Sequence, residues 1–225
     1  APGWETLRVS TPGPAPHRSG FVALVGRPNA GKTTLTNALV GEKVGIVSNR
    51  PQTTRHAIRG VVHRPRGQIV LVDTPGLHKP KSLLGKRLND VVRDTLSDVD
   101  VIVFCIPADQ PVGQGDRFIA RQLREVRAPV VVVVTKTDAA GKKQVAEQLL
   151  AASQLVEATE VVPVSALAGH QVELLEDLLI GLLPEGPPLY PEEQTTDEDT
   201  ERQLAELVRE AALEKVRQEV PHSLA

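Results

Sequence analysis

The sequence predicts an α/β fold built around a largely parallel β-sheet, and three observations carry that reading. Short runs dominated by Val, Ile, Leu and Ala recur at 21–25, 57–62, 69–72, 101–106, 130–134 and 161–164. Between several of them lie stretches with apolar residues at helical spacing, at 33–39, 84–96, 118–126, 142–150 and 172–183. Aliphatic runs without polar alternation are strands covered on both faces, as when helices flank a parallel sheet. The composition agrees. With 40% hydrophobic and 24% charged side chains, the 225 residues form an ordinary globular chain, enough for one large domain or one domain plus a fragment.

The same composition weighs against several kinds of partner. Lys and Arg number 26 against 28 Asp and Glu, a net charge of −2, so no whole-chain field draws the protein to nucleic acid or a membrane. Three Phe, one Trp and one Tyr are too few for a base-stacking platform and leave the core to aliphatic residues. No apolar run approaches the roughly 18–20 residues of a membrane span. The single cysteine, Cys105, cannot form an internal disulfide and no secretory leader is recognisable, so a cytosolic setting is expected. The absence of Met, the initiator included, reads as a trimmed or processed chain.

Residues 1–17 hold four prolines and two glycines with little apolar periodicity, and are expected to be a flexible tail on which only Trp4 could dock. The main domain is expected over 18–184. Its first run leads straight into Gly26-Arg27-Pro28-Asn29-Ala30-Gly31-Lys32-Thr33, which fits G-x-x-x-x-G-K-[ST] at every required position. The glycines let the backbone curl so that successive N–H groups face phosphate oxygens, and the following helix adds its positive end. Lys32 would reach the β- and γ-phosphates and the Thr33 hydroxyl would ligate Mg²⁺, with Asn29, Ala30, Gly31 and Thr34 completing the cradle. The bland alternative, a glycine-rich turn with an incidental lysine, has the context against it: a strand before and a helix after.

The run at 69–72 ends in Asp73-Thr74-Pro75-Gly76, forty residues beyond Thr33. A carboxylate at the carboxyl end of a buried strand lies beside the first loop of a parallel sheet. Asp73 would there hold Mg²⁺ through water, while the Gly76 N–H meets the γ-phosphate. Cys105 falls inside the run at 101–106 and reads as a buried structural thiol rather than a nucleophile.

The next two runs end in Thr135-Lys136-Thr137-Asp138 and Ser165-Ala166-Leu167. Guanine offers donors at N1 and the 2-amino group and an acceptor at O6. The Asp138 carboxylate can accept both donors while the Ala166 N–H donates to O6. Adenine would leave that carboxylate unpaired, and hydrogen bonds to charged groups are worth about 1.5–3 kcal/mol. The Lys136 stem can pack across the ring or the phosphate loop. After Pro184 the acidic stretch to Thr200 makes 185–200 read as a solvated linker. Leu204, Leu207, Val208, Ala211, Ala212 and Val216 then recur at helical spacing until Pro221 ends the pattern. This helix in 201–225 needs a cover for its apolar stripe, either the first domain or a second one cut off after Ala225.

These motifs, in this order, resemble those of Ras-like P-loop GTPases of the translation-factor class, and within it the sequence is similar to the Era family over about Arg18 to Ala225. The identifying stretches are the Gly-Arg-Pro-Asn loop, Pro51-Gln52-Thr53-Thr54-Arg55-His56, Asp73-Thr74-Pro75-Gly76-Leu77-His78 and Glu219-Val220-Pro221-His222-Ser223. The resemblance implies GTP and GDP as ligands, Mg²⁺ as cofactor, and hydrolysis coupled to two switch segments. It implies that Thr54 closes on Mg²⁺ and the γ-phosphate, with Lys32, Thr54 and Gly76 as the catalytic set, and that a second switch runs from Asp73 through 77–84. It implies a role in small-subunit assembly with ribosomal RNA and the subunit as partners, and allows peripheral membrane association.

Three departures from the family pattern matter. Thr135 stands where the base-reading tetrad usually begins with Asn. Leu77 stands where a glutamine would orient the attacking water, so slow intrinsic turnover is expected, with His78 a bystander. The chain also ends after the first helix of the KH domain that such proteins carry, before the Gly-x-x-Gly clamp, so little sequence-specific RNA affinity is expected of it. Several GTPases with Leu or Ile at the Leu77 position carry Asn at the Asn29 position and bind K⁺ there, so the resemblance implies a K⁺ site at Asn29. The alternative is that Asn29 hydrogen-bonds within its own turn. Rival readings are a related GTPase of tRNA modification or ribosome assembly, a nucleotide-dependent RNA or ribosome binding module, and a P-loop ATPase or kinase, which fits Asp138 and Ser165-Ala166 poorly. Oligomeric state stays open.

Overall fold

The computed structural model describes residues 16–45, 58–74 and 95–196, together with residue 208. The strands are β1 (Arg18–Val25), β2 (Ile58–Arg64), β3 (Gly67–Asp73), β4 (Val101–Pro107), β5 (Val130–Thr135) and β6 (Glu160–Pro163). The helices are α1 (Lys32–Val40), α2 (Gln114–Leu123), α3 (Lys142–Ser153) and α4 (Val172–Leu182). One sheet runs in the order β2-β3-β1-β4-β5-β6. Every neighbouring pair is parallel except β2 with β3, which a two-residue turn joins as an antiparallel hairpin. The carboxyl ends of β1, β3, β4, β5 and β6 therefore share one edge, where the loops of interest emerge.

The aliphatic runs are explained by burial on both faces. All seven residues of β4 are buried, and successive side chains point to opposite sides. Val101, Val103 and Cys105 join a cluster with Leu35 and Leu39 of α1 and Leu175 and Leu179 of α4. Ile102, Phe104 and Ile106 join the other, with Ile119 and Leu123 of α2 and Ala152 of α3. Phe104 is fully buried; truncating such a ring to Ala typically costs about 3–5 kcal/mol, a large share of a domain's net stability. Burial also pushes the Cys105 thiol up to about 12, so it is the structural thiol the sequence suggests.

Helix ends differ from expectation for identifiable reasons. α2 starts at Gln114 rather than 118 because Asp116 Oδ2 accepts the Gly113 N–H at 2.8 Å and caps the first turn. It stops at Leu123 rather than 126, since the Val126 N–H turns back to the Leu123 carbonyl at 3.2 Å as the chain heads for β5. α3 runs three residues past the expected 150, to Ser153. Of the expected helix at 84–96, only 95 and 96 are described, and both are helical.

The expectation of a solvated linker at 185–200 needs correction as far as Thr196. Most of its side chains are exposed, but its backbone is bonded along the domain. Ser19 N–H donates to the Pro184 carbonyl at 3.1 Å and the Gly186 N–H to the His17 carbonyl at 3.1 Å. Buried Gln68 donates through Nε2 to the Tyr190 carbonyl at 2.8 Å and accepts the Leu189 and Tyr190 N–H groups at 2.7 and 2.9 Å. Further on, the Val61 N–H of edge strand β2 donates to the Thr195 carbonyl at 2.7 Å. The segment is a strap that satisfies edge backbone groups otherwise left to solvent. His17, at the end of the expected tail, is likewise tied, its Nδ1 lying 2.9 Å from the Gly186 carbonyl. Residues 1–15 with Trp4, the remainder 197–200 and the expected helix at 201–220 lie outside the described residues, apart from Val208, which is helical and exposed.

Candidate functional site

The loop between β1 and α1 is shaped by positions that tolerate little else. A Cβ on Gly26 would lie 2.7 Å from the Cys105 carbonyl oxygen, so the chain can leave β1 against β4 only as glycine. Asn29 at φ 62° and Gly31 at φ 84° supply the two left-handed turns that curl the loop back onto the helix axis. Gly31 is the N-cap of α1, no side chain caps the helix, and its first turn carries no acidic residue. The leading N–H groups and the positive end of the dipole are thus left for an anion. Thr34 sits half-buried in that first turn and Ala30 is fully buried.

Lys32 is 6% exposed, and its Nζ donates to the Gly26 and Arg27 carbonyls, both at 3.3 Å. The ammonium is thereby folded against its own loop. Burial lowers its pKa, opposed by the charge of Asp73. Asp73, at the end of β3, is fully buried. The register that sets Leu24 beside Asp73 carries its carboxylate to the loop, where Oδ2 accepts the Thr33 hydroxyl at 2.5 Å. Its Oδ1 is buried and has no hydrogen-bond partner. Burial raises its pKa to about 6, against the pull of Lys32 and the Thr33 hydroxyl. An orphaned buried carboxylate oxygen beside a threonine hydroxyl is a hard-oxygen pair that suits Mg²⁺. Among the described residues no three His, Cys, Asp or Glu side chains form a cage, so such an ion would take its remaining ligands from phosphate, water or elsewhere in the chain.

The stretches expected to read the base reach the same edge. Thr135 is buried, and its hydroxyl donates to the Ala30 carbonyl at 2.7 Å, tying the end of β5 to the phosphate loop. The departure to threonine at this position therefore keeps a structural link between the two loops. Lys136, at φ 57°, runs its stem past Gly31 and pairs through Nζ with Asp109 Oδ2 at 3.4 Å. Asp138 is exposed in the 3₁₀ turn Thr137–Ala139, its Oδ1 accepting the buried Ser165 hydroxyl at 2.5 Å. Ser165 also accepts the Ala168 N–H at 3.1 Å, so it orients the carboxylate from a fixed loop. Ala166 is half-buried beside it and Leu167 is 80% exposed.

The structure thus gathers Asn29, Ala30, Gly31, Lys32, Thr33, Thr34, Asp73, Thr135, Lys136, Asp138, Ser165, Ala166 and Leu167 at one sheet edge, on strand ends, the loops that follow them and the first turn of α1. Thr54, Gly76, Leu77 and His78 lie outside the described residues. Sequence reasoning passed over Thr74, whose hydroxyl donates to the Leu24 carbonyl at 2.6 Å and fixes the chain just after Asp73. It also passed over Asn37, which accepts the Val44 and Gly45 N–H groups at 3.0 and 2.9 Å as the chain leaves α1. Neither bond has a local pattern that would reveal it. Asp116 was passed over as well, although an acid three residues after Gly113 is a helix-start signal.

Residues 21–136 match the family of 50S ribosome-binding GTPases. The chain is 61% identical over 227 residues to the GTPase Era of Streptomyces coelicolor, covering 98% of this chain and 72% of that protein. With the GTPase Era of a Mycobacterium species it shares 62% over 211 residues, covering 92% and 71%. A crystal structure of Era in complex with MgGDPNP and nucleotides 1506–1542 of 16S ribosomal RNA superposes with a TM-score of 0.86 at 39% identity, over 92% of this chain and 70% of that one. Aquifex aeolicus Era bound to GDP and AlF₄⁻, a single-site variant, gives 0.85 at 38%, with the same coverage.

Proposed function

Because this chain belongs to the Era family of GTPases, we propose that it is a GTP-hydrolysing switch that acts beside small-subunit ribosomal RNA. The observation that carries the reading is the convergence of Lys32, Thr33, Asp73 and Asp138 on one sheet edge, each aimed by a bond the structure contains. The family description speaks of the large subunit, while the Era complex holds a piece of 16S RNA. The small subunit is favoured, because likeness to that structure extends over 92% of the chain and the family match over 21–136.

Within this reading, the N–H groups of Asn29 to Thr34 and the Lys32 ammonium bind the phosphates. Thr33 would ligate Mg²⁺ directly and Asp73 through water, with Thr54 joining them when GTP is present and the Gly76 N–H meeting the γ-phosphate. Bound there, Mg²⁺ neutralises charge on the phosphate oxygens. Asp138 and the Ala166 N–H read the guanine, Ser165 orients Asp138, and Thr135, Lys136 and Leu167 complete the pocket. Turnover of GTP and ATP, each with and without Mg²⁺, tests the reading. GTP should be hydrolysed only with Mg²⁺ and ATP left intact; comparable ATP turnover would overturn the assignment.

We further propose that Asn29, exposed and held in the left-handed region, offers its amide oxygen to K⁺ beside the phosphates. A monovalent cation there would offset charge developing on the leaving group, in place of the glutamine that Leu77 replaces. Hydrolysis should run faster in KCl than in NaCl at equal ionic strength, and Asn29→Ala should lose the difference. Equal wild-type rates in both salts would eliminate the site, and a K⁺ effect surviving in the variant would place the ligand elsewhere.

A further inference from the structure

Among the described residues, buried polar side-chain atoms without a hydrogen-bond partner occur on four residues only: Asp73, Arg27, Asp109 and Asp116. The orphaned Asp73 oxygen is accounted for by the Mg²⁺ proposed above. Arg27 is the second residue of the phosphate loop, yet its side chain turns away from the loop interior and lies along Gly115, whose added Cβ would sit 3.7 Å from the Arg27 Cβ. Its Nε is 3.4 Å from Oδ1 of Asp116, an ion pair whose alignment makes no hydrogen bond. Asp116 itself is completely buried, with its other oxygen committed to capping α2. A buried carboxylate next to a guanidinium that is 21% exposed is a costly arrangement unless the two hold one another.

The main chain of Arg27 shows what that pairing holds. Its carbonyl accepts both the Ala30 N–H at 3.2 Å and the Lys32 Nζ at 3.3 Å. One residue thus carries the first turn of the loop and half of the seat for the phosphate-binding ammonium. With its side chain gripped by the start of α2, that carbonyl has a fixed position. We propose that Asp116 is a positioning residue for nucleotide binding: through Arg27 it sets the carbonyl that presents Lys32 to the phosphates. No group on Asp116 touches the ligand. The pairing joins the phosphate loop to a helix that begins more than eighty residues later in the chain.

This inference rests on the reading of Lys32 as the phosphate-holding lysine, and the experiment separates the two. GDP and GTP affinities and the Tm of the nucleotide-free protein are measured for wild type, Asp116→Asn, Arg27→Met, Arg27→Lys, the double variant Arg27→Met with Asp116→Asn, and Lys32→Ala. Asn keeps an acceptor for the Gly113 N–H and removes only the charge facing Arg27. Asp116→Asn should weaken GDP and GTP about tenfold, the double variant should be no weaker than Arg27→Met alone, and Arg27→Lys should recover part of the loss. A capping role alone would lower Tm without that coupling. Nucleotide affinity within twofold of wild type in Asp116→Asn, or additive losses in the double variant, overturns the proposal while a Lys32→Ala defect leaves the lysine reading standing. Undiminished binding by Lys32→Ala overturns both. Should Asp116→Asn fail to fold, the Arg27→Met and Arg27→Lys pair decides: equal, wild-type affinities in both remove Arg27 from any positioning role.

Discussion

Asp138→Asn should turn the protein from a guanosine-nucleotide binder into one that prefers xanthosine nucleotides. The carboxylate is exposed in its 3₁₀ turn, and one oxygen is fixed by the Ser165 hydroxyl at 2.5 Å. Guanine presents two donors to such a group, and two charge-assisted hydrogen bonds at about 1.5–3 kcal/mol each amount to roughly 10²–10⁴-fold in affinity. Xanthine carries a carbonyl where guanine carries the amino group. The asparagine amide can donate to it while its oxygen keeps the Ser165 hydroxyl and the ring N–H. Titrating GTP and XTP against both proteins checks the exchange. A variant that still prefers GTP by the wild-type ratio would show that Asp138 does not read the base.

Lys32→Ala should abolish useful nucleotide binding without unfolding the protein. The ammonium is buried, its pKa lowered by that burial, and its partners in this structure are two carbonyls of its own loop. Phosphate oxygens would supply the full charges that those carbonyls lack, and losing charge-assisted bonds to them should weaken GDP and GTP by about 10²–10³-fold. The fold should survive, because the Arg27 carbonyl keeps the Ala30 N–H and Asp73, its pKa already raised to about 6 by burial, can take up a proton once the Lys32 charge is gone. Direct titration gives the affinities, and thermal melting of the nucleotide-free protein gives the control. Binding within threefold of wild type would remove Lys32 from the phosphate site.

Helix bounds illustrate where sequence reading fails locally. The periodicity at 118–126 marks the face of α2 that packs on the sheet, through Ile119 and Leu123, but the first turn has no apolar residue to report it. There the helix is set by a side-chain cap rather than by burial. The strap over 184–196 is a different case. Its composition is that of a linker and most of its side chains stay exposed; it is held mainly through its backbone, and backbone bonds are available to any sequence.

The sequence by itself determined the sheet's strands and the chemistry of the loops. Aliphatic runs follow from burial on two faces, as β4 shows, and the loop from 26 to 33 demands particular residues at particular positions because its backbone geometry admits few others. Only the tertiary structure decided which distant groups hold that chemistry in place. The Thr135 hydroxyl meets the Ala30 carbonyl 105 residues away, and Gln68 meets Tyr190 across 122. Arg27 meets Asp116 through the same kind of closure. Each such link is worth only about 1–3 kcal/mol and can be made by several residue types, so it leaves no periodicity or spacing to read. It exists because the strand order brings β1, β3, β4 and β5 to a common edge, and that order is a property of the folded sheet rather than of any one stretch.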